Sequence, residues 1–138
     1  MESRDGHLLT IRPLLKSAKI NAATRPEERF QNNTLRPILK LQNDLIISIF
    51  RHYINTHKNV FYELPLSQRL AYIDQAVHKD SKFRNLLKGV VIGQFTTLEY
   101  AEYINNATAL NKRIINLIVQ RLQSNIQLFD ITTEPTHL

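Results

Sequence analysis

Apolar residues recur along this chain at helical spacing. The clearest run is Phe83, Leu86, Leu87, Val90 and Val91, at i, i+3, i+4, i+7 and i+8. That stripe predicts an amphipathic helix over 81–92. Asp80 or Ser81 is placed to cap its start, and Gly93 to end it as a C′ glycine. A second, broader stripe runs Ile38, Leu41, Leu45, Ile49 and Tyr53, widened by Leu39, Ile46, Ile47 and Phe50. It predicts a helix over 35–56 that is apolar around much of its circumference, as central helices are. Leu66, Leu70, Ile73 and Val77 predict a helix over 66–78. Leu110, Ile114, Ile115, Leu117, Ile118, Leu122 and Ile126 predict a long one over 107–126.

Start and stop signals frame the remaining elements. Thr24-Arg25-Pro26-Glu27 reads as a capping box with proline in the first turn, opening a short helix over 25–33. Asn32-Asn33-Thr34 offers a second start, and the alternative is one long helix kinked at Pro37. Thr96-Thr97-Leu98-Glu99 is another capping box, for a helix over 97–105 that Asn105-Asn106 breaks. Val60 to Pro65 is an aromatic connector expected to pack across a helix end. No partner strand is evident for it. The fold class expected is all-α, a single bundle of five or six helices over 24–127. An N-terminal arm or short helix covers 1–23, where Pro13 weakens a helix, and a tail covers 128–138.

Composition narrows the chemistry. The 138 residues suit one domain, and only three are glycine, which disfavours β-rich and glycine-loop architectures. There is no cysteine, so disulfides, thiolate metal sites and thiol nucleophiles are excluded. No leader peptide is visible at the N-terminus and no window is long and apolar enough to span a bilayer. No membrane partner and a cytoplasmic location are therefore expected.

Metal and catalytic motifs are sparse. Asp74 and His78 share a helix face at i, i+4, a spacing that equally suits a surface hydrogen bond. Glu99 and Glu102 suit a helix start, and His52 and His57, five apart, diverge. Ser48 and Ser67 lack local catalytic partners. Neither metal nor cofactor is expected. Gly89 and Gly93, at i, i+4, suggest a close approach between helices.

Charge offers one further lead. The net charge is +6, which permits polyanion attraction. The candidate anion-binding residues are Lys82, Arg84 and Lys88 on one helix, with Lys112 and Arg113 early in the last. Polar residues inside the apolar helices form a second candidate set. They are Gln42, Asn43, Asp44, Asn111 and Asn116, which must find partners if they face inward.

Several segments together resemble a family of small bacterial all-α proteins often labelled "glyoxalase". They are Thr34 to Leu45, Lys58 to Tyr62, Lys82-Phe83-Arg84-Asn85 with Leu87-Lys88-Gly89, Ile92 to Phe95, and Ala109 to Arg113, within about residues 26 to 129. The resemblance implies a bacterial cytoplasmic origin and carries over no functional residue. The chain itself contains no His-x-His-x-Asp-His motif. Three functions are thus expected in order: a non-catalytic helical homo-oligomer or protein-interaction module, an anion or nucleic-acid binder working through a basic helix face, and the glyoxalase-type lyase of the family label.

Overall fold

The structure, a computed structural model, describes residues 3–14 and 25–129. Among these the fold is all-α, with helices α1 (Arg4–Ile11), α2 (Pro26–Phe30), α3 (Arg36–Leu41), α4 (Asn43–Thr56), α5 (Leu66–Lys79), α6 (Ser81–Ile92), α7 (Thr97–Ile104) and α8 (Ala107–Ser124). A π turn, Gln31–Leu35, joins α2 to α3, and 3-10 turns occupy Val60–Glu63 and Ile126–Phe129.

The central helix is α8. It packs against α3, α4, α5, α6, α7 and the π turn, and it buries Leu110, Ile114, Ile115, Leu117, Ile118, Val119 and Leu122. The expected centre, the 35–56 stripe, is narrower than its composition suggested and is divided. Gln42 leaves helical geometry at φ −91° and ψ 5°, and its Nε2 donates to the Val90 carbonyl of α6 at 3.0 Å. A side chain that crosses to another helix fixes its own backbone, and the chain bends there. Leu45, Leu66 and Leu86, expected inside, are 49%, 61% and 53% exposed.

Pro37 lies in the first turn of α3, which continues from the π turn without a gap. Proline removes a donor and its ring strikes the carbonyl four residues back. The π turn just before it carries an i to i−5 bond from the Arg36 N–H to the Gln31 carbonyl. Pro37 is seated and buried directly after this widened turn. Arg25 holds the N-cap position of α2 without a side-chain bond; Thr24, the expected cap, lies outside the described residues.

Other signals resolve cleanly. Asp80 caps α6 by accepting the Phe83 N–H at 3.2 Å. Thr96 and Glu99 form the reciprocal capping box of α7. Gly93 ends α6 in right-handed geometry, φ −62°, so it is no left-handed cap. A Cβ on Gly89 would meet nothing within 4 Å, so no close helix approach requires it, and nothing in the structure explains this glycine.

Phe50 organises the apolar end of the bundle. Its ring meets Phe61 of the 3-10 turn at 5.5 Å, Phe83 of α6 at 6.2 Å and Phe129 at 5.1 Å. Phe129 is 1% exposed. Phe129, expected in the tail, belongs to the core, because the second 3-10 turn returns the chain to the aromatic cluster; residues 130–138 lie outside the described residues.

The N-terminal segment is tied down by charge. Arg4 donates to the carbonyls of Gly93 and Phe95 at 2.8 and 3.0 Å, and Asp5 accepts the Thr97 N–H at 3.0 Å. Arg12 bridges both oxygens of Glu99 at 2.7 and 3.0 Å, with side chains only 8% and 17% exposed. Burial pushes the Glu99 carboxyl up. Arg12, the Thr96 N–H and the Thr34 hydroxyl outweigh it and hold the carboxyl below its ordinary value.

Phe129→Ala should cost about 3 kcal/mol, read as a lower urea midpoint; a tail residue would cost almost nothing. A depressed carboxyl stabilises the fold above its unfolded pKa and loses that contribution as pH falls through the folded one. Wild-type stability should therefore decline below about pH 4, and Glu99→Gln should flatten part of that decline. An unchanged acid profile would contradict the role of the pair.

Candidate cationic furrow

The outer face of α8 is polar for a simple reason. With its apolar stripe committed to the core, Lys112, Asn116, Gln120 and Ser124 follow at i, i+4 on the solvent side. This ridge runs through three adjoining depressions. The first, about 330 Å³, is lined by Arg84 and Lys88 of α6 with Asn111, Lys112, Ile115 and Asn116 of α8, and by His78 at the end of α5. The second, about 590 Å³, shares Lys112 and Asn116 and adds Arg36 and Arg113. The third, about 420 Å³, shares Arg36, Leu117 and Gln120 and adds Arg121. Their shared residues set the three side by side along α8, as one furrowed surface.

Six cations line it: Arg36, Arg84, Lys88, Lys112, Arg113 and Arg121. Among the described residues, no Asp or Glu lines it and none of the six forms an ion pair. Carboxylates reach only its rim, where Glu27 accepts from Asn106 at 3.0 Å and Asp74 meets His78 at 3.2 Å. The guanidiniums are held by neutral acceptors. Arg113 donates to Gln31 Oε1 at 2.9 Å, Arg121 to Asn43 Oδ1 at 3.1 Å, Arg36 to Asn32 Oδ1 at 3.2 Å, and Arg84 to the His78 carbonyl. A neutral acceptor orients a guanidinium without cancelling its charge. Burial, and then repulsion from Arg36, pulls Arg121 below its ordinary value.

Of the five expected anion-binding residues, the structure brings Arg84, Lys88 and Lys112 together in the first depression and places Arg113 in the second. Lys82 is elsewhere, lining a separate cavity with Tyr53 and Asp80, because residues two apart on a helix point in nearly opposite directions. Arg36 and Arg121 were not expected. They come from segments far apart in sequence, and only the packing of α3 on α8 joins them.

The five expected polar residues do not form one buried network, although Asn43 Nδ2 donates to Asp44 Oδ1 at 3.3 Å at the surface. Asp44 and Asn116 are exposed, and the others are half-buried with separate partners. Gln42 bonds to Val90; Asn43 accepts from Arg121 and from Asn125 at 3.3 Å; Asn111 accepts the Tyr103 hydroxyl. The helical turn divides them, since Asp44 and Asn116 fall on the side away from the core.

Among the described residues, no group of three or more His, Asp or Glu side chains lies close enough to hold a metal ion, and no helix is long and apolar enough to cross a membrane. Family models, curated proteins and solved structures yield no match to this chain.

Unpaired cations side by side oppose folding. Arg36→Gln should therefore leave stability unchanged or raise it by a few tenths of a kcal/mol. A urea midpoint that drops clearly would show Arg36 to be a structural residue.

Proposed function

We propose that the protein binds nucleic acid through its phosphodiester backbone, laid along the furrow of α8. One observation carries the reading: six cations line three adjoining depressions along α8, in which the described residues place no carboxylate. Each cation without a partner is a charge held in reserve for an anion from outside. The length of the groove argues for a chain of phosphates over a single one. Lys112 to Ser124 spans about 18 Å at 1.5 Å per residue, several times the size of one phosphate.

The furrow's lining contains no Phe, Tyr or Trp, and His78 is its one ring. Backbone contacts fix register without reading sequence. The binding proposed is therefore largely independent of sequence and strongly dependent on salt. Asn111, Asn116 and Gln120 supply neutral hydrogen bonds to phosphate oxygens between the charges.

Self-association is the second reading. The apolar candidate is a groove of about 330 Å³ between α4 and α6, lined by Ile49, Phe83 and Leu86 among others.

Titration of a labelled oligonucleotide, followed by anisotropy, tests the reading. With about five phosphates neutralised, log affinity should fall against log salt with a slope of about −4 to −5 for a duplex and about −3 to −4 for a single strand. Lys88→Glu with Lys112→Glu should weaken binding by about tenfold or more and reduce the slope by about two. Affinity that ignores salt, or that survives the charge reversal, would contradict it.

A further inference from the structure

A second cavity lies across the α5–α6 junction from the furrow. His78 and Arg84 face the furrow, while Lys79, Asp80 and Lys82 between them line the other cavity, of about 650 Å³. Its wall carries several rings, where the furrow has only that of His78. Phe83, Tyr53 and His57 form a ladder of rings, with centroids 4.1 Å apart for Phe83 and Tyr53 and 3.9 Å for Tyr53 and His57. His57 ends the ladder, is exposed, and lines the cavity with Tyr72. Its ring is fixed from behind, with Nδ1 at 2.8 Å from the Tyr53 carbonyl and 3.2 Å from the Thr56 hydroxyl. The ladder thus presents a flat aromatic face that costs little entropy to use.

The charges around it are sorted. Asp80 stands inside, its carboxylate accepting from the Tyr53 hydroxyl at 3.2 Å and from the Phe83 N–H at 3.2 Å. An anion is repelled from that position. Lys79 and Lys82 stand exposed on either side of Asp80. A planar, uncharged ring therefore suits the interior, and a phosphate suits the rim. That is the polarity of a nucleotide with its base inserted and its backbone left outside.

We infer that this cavity captures an unpaired nucleobase, stacked on His57 at the end of the Phe83–Tyr53–His57 ladder, while Lys79 and Lys82 hold the flanking phosphates. The inference rests on the furrow reading and extends it from the phosphate chain to the form of the strand. A duplex keeps its bases stacked inside and offers the cavity nothing; a single strand offers a free face at every nucleotide. The protein thus prefers single-stranded nucleic acid, the furrow supplying affinity for both forms and the cavity the difference.

The test compares a fluorescein-labelled single strand with the blunt duplex of the same length, each titrated with wild type, His57→Ala and His57→Phe. Wild type binds the single strand more tightly. His57→Ala weakens single-strand binding by about fivefold or more, leaves duplex binding unchanged, and keeps the wild-type circular dichroism. His57→Phe, which preserves a stacking face, restores the preference. Duplex and single strand bound equally by wild type, or an alanine variant that changes neither or both alike, overturns the inference while the furrow reading stands. Failure of wild type to bind either form at low salt overturns the furrow reading, and this inference with it.

Discussion

Burial of one stripe of α8 governs the rest of the molecule. Seven apolar side chains of this helix are buried, and α3, α4, α5, α6 and α7 all pack on it. At about 25 cal/mol per Å² of apolar surface removed from water, a helix of this kind contributes more than any polar contact in the fold. Once that stripe is committed, the remaining face has to meet solvent. The neighbours that cover α8 also deliver their own edges to its border: α6 brings Arg84 and Lys88, and α3 brings Arg36. Core packing thereby decides which surface charges stand together.

The charges so gathered run against local stability. Arg36 and Arg121 repel each other, and neither forms an ion pair among the described residues. Elsewhere the same chain pairs its charges closely. Arg12 and Glu99 form a bidentate bridge that is almost buried, and Arg4 is satisfied by two backbone carbonyls. A sequence that pairs cations where they hold the fold and leaves them unpaired along one groove shows the pattern expected of a binding surface, where function offsets stability.

Much of the architecture was legible from spacing. Phe83, Leu87 and Val91 face inward as their period requires, and Thr96 with Glu99 caps α7 as its motif requires, because both signals are local. What escaped was non-local. Phe129 belongs to the core through contacts with Phe50 and Phe61, residues from other turns of the chain. Gln42 breaks its helix because a carbonyl of α6 lies within reach. The Arg12–Glu99 bridge joins residues 87 apart, a distance over which charge pattern carries no pairing information. The site divides in the same way. Arg84 and Lys88, one turn apart on one helix, could be read together, and Lys112 could be offered beside them. Lys82 pointed elsewhere, and Arg36 and Arg121 joined only through the fold.

The central claim is that the solvent face of α8 is where nucleic acid lies. Backbone amide chemical shifts, recorded by NMR as an oligonucleotide is added at low salt, test it most directly. The account predicts shifts concentrated at Arg36, Arg84, Lys88, Lys112, Asn116, Gln120 and Arg121, reversed by added salt. Shifts confined to other surfaces, or none at all, would contradict it.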